Sequence, residues 1–211
     1  MQKLETLSFG KYYHIYNCGI NGCKIFWESD NFEYFLTLYN RYISQIAETY
    51  AWVLMPNHFH FLVRIKEKEE IISDLSGHKN LTGLMKLKYP HQHFSNFFNA
   101  YTKAVNKRLS RHGALFERPF RRKQILNSYW MKQNVLLIHN LPVEFKLVKH
   151  PADYTWSSYQ TCLSDKPTKL QRESVLEWFG NKSNFKVQHS NKVIFERMEE
   201  WFIYQTGFRI R

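Results

Sequence analysis

The sequence predicts an α+β fold, a ferredoxin-like sandwich with an antiparallel sheet and a helical C-terminal extension. Three observations lead to this fold class. Residues 12–18 alternate as a strand does, apolar residues between 32 and 46 recur every three or four positions as in an amphipathic helix, and two apolar runs flank Pro56-Asn57. A ferredoxin-like domain begins with the same order of strand, helix, strand and strand.

Local patterns justify each of these first elements. A strand is expected from Tyr12 to Cys18, where alternate side chains point to opposite faces. Asp30 is a suitable N-cap for the helix that continues to Ile46. Because Pro56-Asn57 is a turn signal between apolar runs, we expect the chain from Trp52 to Ile65 to form a hairpin.

Weaker patterns organise the rest of the chain. They predict a mobile connection over residues 66–90, followed by a helix from His91 or Phe94 to Leu109. A β-like hairpin or arm, split by Pro119, is expected over residues 114–126, and then a helix from Ser128 to about Asn140 that ends before Pro142. Two further helices are expected near residues 170–179 and 194–204. We therefore expect one main domain over residues 1–165 and a helical extension over residues 166–211.

The composition favours a polyanionic partner. Thirty Lys and Arg residues against 18 Asp and Glu give a formal net charge of +12, and nucleic acid is the commonest polyanion that such a soluble chain binds. The three cysteines form no CxxC pair, no signal peptide is recognisable, and no apolar run approaches the ~20 residues of a membrane span. A cytoplasmic protein that binds no membrane is expected.

Two histidines on one predicted strand are the first candidate site. His58 and His60 are two residues apart, so their imidazoles lie side by side on one face of the strand. Phe59, Phe61 and Val63 point to the other face and are expected in the core. The pair could hold one metal ion, although histidines at this spacing also occur by chance.

A second candidate site is a concentration of basic residues between residues 103 and 123, opposed there only by Glu117. Phe116 and Phe120 are interleaved with it. Arginine forks suit phosphate oxygens, and aromatic faces accept unstacked bases. The predicted DNA-binding residues are Lys107, Arg108, Arg111, Arg118, Arg121, Arg122 and Lys123.

At several motifs the sequence resembles the HUH-type single-tyrosine transposases, in particular the REP-associated tyrosine transposase branch. The resemblance covers roughly residues 10 to 165 and keeps the family's order of motifs. It is carried by Tyr13-His14-Ile15-Tyr16-Asn17, Met55-Pro56-Asn57-His58-Phe59-His60-Phe61-Leu62-Val63, Phe97-Phe98-Asn99-Ala100-Tyr101, Gly113-Ala114-Leu115-Phe116-Glu117-Arg118-Pro119-Phe120, Ile138-His139-Asn140-Leu141-Pro142-Val143 and Asp153-Tyr154-Thr155-Trp156-Ser157-Ser158-Tyr159.

The resemblance implies a specific chemistry. His58 and His60 would be metal ligands, and a divalent cation, Mg²⁺ or Mn²⁺, would polarise the scissile phosphate of single-stranded or hairpin-bearing DNA. A tyrosine on a helix would then attack the phosphorus, which leaves a 5′-phosphotyrosine and a free 3′-OH. The family includes dimers as well as monomers, so a homodimer is open.

The chain departs from this family where the nucleophile should be. The family's helix motif resembles Tyr-Ile-His-x-Asn-Pro, but here Leu137 occupies the tyrosine position and Leu141 the asparagine position. A leucine neither attacks phosphorus nor ligates a cation. A slip of one residue would make Asn140 the polar ligand and Leu136 the nucleophile, which still supplies no tyrosine.

Three functions remain open at this point. The chain is an inactivated or domesticated copy that still binds DNA, or an active enzyme with a displaced tyrosine, or a nuclease whose metal activates water. Tyr101 and Tyr129 are the substitute nucleophiles, both weak candidates. Tyr101 falls on the same helix face as phenylalanines that are expected in the core, and Tyr129 lies two helical turns before Leu137.

Overall fold

The computed structural model describes residues 5–76 and 89–190, with the backbone alone over residues 73–76. A four-stranded sheet has the order β2-β3-β1-β4, and β1 is antiparallel to both of its neighbours. This order confirms the predicted ferredoxin-like sandwich. The strands are β1 (Tyr12–Cys18), β2 (Ala47–Met55), β3 (His58–Ile65) and β4 (Arg121–Ile125).

Helices connect and follow these strands. They are α1 (Ser29–Tyr42), α2 (Lys68–Ser76), α3 (Pro90–Arg108), α4 (Ser128–Glu144), α5 (Tyr159–Leu163), α6 (Arg172–Phe179) and α7 (Lys182–His189), with short 3₁₀ turns at Ile20–Gly22 and Pro151–Asp153. Within the described ranges, no helix is both long enough and apolar enough to cross a membrane.

The first helix begins slightly earlier than its predicted cap. Glu28 is the N-cap of α1 and forms a capping box with Asn31, in which each side chain accepts a hydrogen bond from the other residue's backbone. Asp30 therefore lies inside the first turn instead of capping it. The helix ends at Tyr42, before the predicted Ile46, and the chain turns directly into β2.

The predicted end of the third helix before Pro142 is wrong. Helix α4 continues to Glu144 with Pro142 inside it. A proline has no backbone N–H and so cannot bond to the carbonyl four residues before it. The Pro142 carbonyl still accepts a hydrogen bond from the Leu147 N–H at 2.9 Å, so the helix end remains bonded.

The predictions for the remaining segments have different outcomes. The connection over residues 66–90 contains helix α2, while its residues 77–88 lie outside the described ranges. The segment over residues 114–126 supplies one strand, β4, which pairs with β1. Helix α6 confirms the helical candidate near residues 170–179, and the candidate near 194–204 lies outside the described residues.

The chain divides into two compact units. Of the described residues, the first comprises 5–49, 54–76 and 89–125, and the second comprises 50–53 and 126–190. In the first unit, α1 and α3 cover one face of the sheet with aromatic rings: Phe35 lies 5.2 Å from Phe59 and 4.6 Å from Phe97, between ring centroids. The predicted boundary at residue 165 remains a prediction.

A chain of buried hydrogen bonds joins elements of the second unit. His139 on α4 lies 2.7 Å from the Ser158 hydroxyl and 2.9 Å from His189 on α7. His189 Nδ1 is 2.7 Å from the Phe185 carbonyl, and the Ser158 hydroxyl accepts a hydrogen bond from the Trp52 N–H at 2.9 Å. All three hydrogen-bonding side chains are at most 3% exposed.

The Phe185 carbonyl, at the end of this series of hydrogen bonds, fixes which atom donates in each of them. The Phe185 carbonyl only accepts, so His189 donates through Nδ1 and accepts at Nε2. His139 then donates to His189 through Nδ1 and accepts the Ser158 proton at Nε2. Burial lowers the pKa of His189 to about 4 and that of His139 well below its usual value, which keeps both rings neutral.

Candidate metal centre and nucleic-acid interface

The strand register places His58 and His60 on the face of the sheet opposite α1 and α3. Phe59, Phe61 and Val63 alternate with them and are at most 1% exposed, as predicted. His60 is the pairing partner of Tyr16 on β1, and their rings stack at 5.6 Å between centroids. We call this side of the sheet the histidine face.

A third histidine, His14, lies on the same face. Its Nε2 is 2.9 Å from Nδ1 of His60, and the His58 and His60 ring centroids are 5.3 Å apart. His14, His58 and His60 are 1%, 5% and 3% exposed, and we call them the histidine cluster. Sequence reasoning assigned no role to His14. Its alternation within β1 was visible, but the register that places it beside His60 was not.

Burial keeps the histidine cluster neutral. It lowers the pKa of His14 to about 3 and that of His58 to about 4. The pKa of His60 is well below its usual value because of burial first, and then because of charge repulsion from the other two rings. A neutral imidazole has one nitrogen lone pair, which is the form that binds a metal ion.

The neighbours of the cluster set which nitrogen has that lone pair. His58 Nδ1 lies 2.8 Å from Oδ1 of Asn57, an acceptor, so Nδ1 has the proton and Nε2 the lone pair. Metal-ligating histidines commonly donate their second N–H to such an oxygen. The donor chemistry of His58 therefore fits a cation, and that of His60 fits one when its Nδ1–H donates to His14 Nε2. Across the described residues, no group of three or more His, Cys, Asp or Glu side chains has the arrangement of a complete metal site.

Helix α4, on which the resemblance would place a nucleophile, is apolar at the relevant positions. Leu137 and Leu141 on α4 are both fully buried, and Leu136 is 2% exposed. Asn140, the alternative polar ligand, donates its amide to the Leu136 carbonyl at 2.9 Å. The side chains at these helix positions thus serve packing and local hydrogen bonding.

The two substitute tyrosines differ in environment. Tyr101 is fully buried and donates its hydroxyl to the Ile25 carbonyl at 2.6 Å, and burial raises its pKa. Those properties describe a core residue that remains protonated. Tyr129 is 59% exposed at the start of α4, with its ring 5.1 Å from that of Trp130.

The predicted DNA-binding residues do not form one surface. Because side chains alternate along β4, Arg121 and Lys123 lie on the histidine face, opposite Tyr16 and His14, whereas Arg122 points to the other face. Arg118 is exposed in the loop before β4. Lys107 and Arg108 are exposed at the end of α3, and Arg111 follows that helix.

Several of these basic groups already have partners. Arg108 pairs with Glu28, and Lys123 lies 3.1 Å from Glu5. Arg111 donates to the Ala114 carbonyl at 3.1 Å, which stabilises the loop after α3. Exposed pairs of this kind contribute little stability, so they do not prevent contact with phosphates.

Comparison with known proteins identifies a structural neighbour. No protein-family model and no curated protein matches the sequence. Among solved structures, the chain is similar to a REP-associated tyrosine transposase bound to a REP hairpin, with a TM-score of 0.57 and 14% identity over 79% of this chain and 88% of that chain. This chain shares the fold of that transposase. At so low an identity, the similarity establishes the fold alone.

Proposed function

We propose that this chain is a transposase-like protein that binds single-stranded or hairpin-bearing DNA and does not cleave it through a tyrosine. Two separate observations support this proposal. The histidine cluster sits on a fold shared with a hairpin-bound transposase, while the tyrosine position holds the fully buried Leu137. The formal charge of +12 suits a polyanionic ligand.

His58 and His60 would hold a divalent cation, Mg²⁺ or Mn²⁺, on the histidine face. When bound, such a cation stabilises negative charge on a phosphate oxygen. Asn57 orients His58 by accepting a hydrogen bond from the His58 Nδ1–H, and His14 orients His60 through their shared hydrogen bond. Arg121 lies on the same face, beside Tyr16, where its guanidinium would bind a phosphate of the DNA backbone.

The missing step is the nucleophilic attack. Covalent capture needs a hydroxyl that can lose its proton near the scissile phosphorus. Leucine at residue 137 has none, and Tyr101 donates its hydroxyl to a core carbonyl. DNA binding is therefore the function that the site supports best, and a homodimer is compatible with it.

A covalent-adduct assay tests this proposal. The purified protein is mixed with labelled hairpin DNA and Mn²⁺ or Mg²⁺, and the products are run on native and denaturing gels. We expect a complex on the native gel and no protein-linked DNA on the denaturing gel. A protease-sensitive adduct would show a working nucleophile, and peptide mapping would then compare Tyr101 with Tyr129. Cleaved DNA without an adduct would indicate a nuclease that uses water.

A further inference from the structure

A cavity of about 540 Å³ opens in the first unit between α3, residues 115–120 and β4. Its floor is aromatic. The ring of Phe98 lies 5.4 Å from that of Phe116 and 5.3 Å from that of Phe120, and the three side chains are at most 8% exposed. The volume falls within the usual range of small-ligand sites.

One wall is an uncharged polar face of α3. Ser95, Asn99 and Thr102 line the cavity and recur at the spacing of one helix face. The Ser95 hydroxyl donates to the His91 carbonyl at 3.0 Å, and that of Thr102 to the Phe98 carbonyl at 2.8 Å. Both hydroxyl oxygens can therefore still accept hydrogen bonds, and Asn99 presents an amide with both donor and acceptor atoms.

The opposite wall is held in place by hydrogen bonds. Asn17 donates its amide to the Glu117 carbonyl at 3.0 Å, and the Glu117 N–H donates to the Cys18 carbonyl at 3.0 Å. The Glu117 carboxylate accepts from the Asn21 N–H at 3.0 Å. A wall fixed in this way loses little conformational freedom when a ligand binds.

Arg122 supplies the feature that points to a ligand. Its guanidinium lies 4.6 Å above the Phe120 ring, and its Nε and Nη1 atoms are buried with no acceptor among the described residues. A guanidinium stays charged in proteins, and buried donors without acceptors are costly. An acceptor-rich anionic group at this point would remove that cost. Arg118, exposed, lines the same cavity.

We propose that this cavity binds one unstacked base of single-stranded DNA, with a neighbouring phosphate on Arg122 and Arg118. The inference rests on the proposed function and adds a base-binding site to it. The base lies against the phenylalanine floor, because every base has a face that stacks on aromatic rings. Its polar edge meets Asn99 and Glu117, one on each wall.

Glu117 implies a preference among bases. A carboxylate only accepts hydrogen bonds, and adenine, cytosine and guanine each offer an amino group. Thymine offers one N–H between two carbonyl oxygens, which repel a carboxylate. Cytosine is therefore expected to bind more tightly than thymine at this site.

The test uses one hairpin stem with single-stranded tails of cytosine, of thymine or of abasic sugar. Binding is measured by fluorescence anisotropy for the wild type and for Asn99→Trp, which fills the cavity from an exposed helix position. Asn96→Trp is the matched control, since Asn96 is also exposed on α3 and does not line the cavity. Glu117→Gln keeps an acceptor for the Asn21 N–H.

We expect the wild type to bind cytosine tails about tenfold more tightly than abasic tails, as stacking of one base provides. Asn99→Trp should lose this preference and Asn96→Trp should keep it. Glu117→Gln should reduce the difference in affinity between cytosine tails and thymine tails. Equal wild-type binding of cytosine and abasic tails, or an unchanged preference in Asn99→Trp, would overturn the base site and leave DNA binding intact. Failure to bind any of the hairpins would overturn both proposals.

Discussion

At the scale of single residues, the histidine cluster combines burial with neutral rings. Its members are held in a sheet face where a proton is disfavoured, so each ring keeps one nitrogen lone pair at neutral pH. The proposed metal ligands, His58 and His60, both lie on β3. The Asn57 and His14 contacts then act on orientation, which is the usual role of groups behind metal ligands.

The histidine cluster leads to a prediction about metal affinity. His58→Ala and His60→Ala should each weaken Mn²⁺ binding about tenfold or more, and His14→Ala should weaken it about 10- to 100-fold through the lost contact to His60. Isothermal titration calorimetry measures these affinities. His112→Ala, at an exposed histidine after α3, is the control and should change nothing. If all four variants bound Mn²⁺ with the affinity of the wild type, the metal site would be removed from the proposal.

At the scale of elements, strand β4 presents basic side chains to both faces of the sheet. Arg121→Ala and Arg122→Ala should each weaken DNA binding for all sequences and reduce the salt slope by about 1. Binding measured over a series of salt concentrations gives the slope. Lys11→Ala, at an exposed lysine next to β1, is the control. An unchanged slope in Arg121→Ala would place the DNA away from the histidine face.

The buried chain from Ser158 to Phe185 makes the second unit sensitive to acid. The pKa of His189 falls from its usual 6.5 to about 4 on folding, so the unfolded chain takes up a proton first. The contribution of the neutral His189 ring to the free energy of unfolding is fully present above pH 6.5 and is lost as the pH falls towards 4. His189→Gln retains a donor and an acceptor but does not titrate.

The prediction compares urea unfolding of the wild type and His189→Gln at pH 7 and pH 5. Between pH 7 and pH 5, the free energy of unfolding of the wild type should fall by about 2 kcal/mol more than that of the variant. His112→Gln, at an exposed histidine, should behave like the wild type. Identical losses in wild type and His189→Gln would mean that the ring is not held neutral by the fold.

Local sequence patterns were sufficient for the elements that have a strong period of their own. The strands β1 and β3 and the helix α3 fall where alternation and apolar spacing place them. Helix α7 was missed, because its eight residues contain few apolar positions. The contact between His14 and His60 depends on strand register, and that between His139 and His189 on packing of distant helices, so neither can be obtained from neighbouring residues.

At the scale of the whole molecule, the proposed function assigns DNA binding to this chain and leaves it without a nucleophile. The histidine cluster, the basic side chains of β4 and the fold shared with the transposase are all present. Where the resemblance would place a nucleophile, apolar side chains are fully buried. Burial of leucine stabilises a core, so Leu137 and Leu141 contribute to the stability of the second unit.

Introducing a tyrosine and an asparagine at these two positions tests whether a nucleophile alone gives strand cleavage. Leu137→Tyr with Leu141→Asn should lower the free energy of unfolding by about 2–6 kcal/mol, since one change overpacks a buried site and the other buries an amide. With the histidine cluster intact, we expect the folded double variant to form a protein–DNA adduct with hairpin DNA and Mn²⁺. Leu137→Phe with Leu141→Asn is the matched control, because it has similar bulk without the hydroxyl. A folded double variant without an adduct, as judged by circular dichroism and a denaturing gel, would show that other parts of the catalytic site have also been lost.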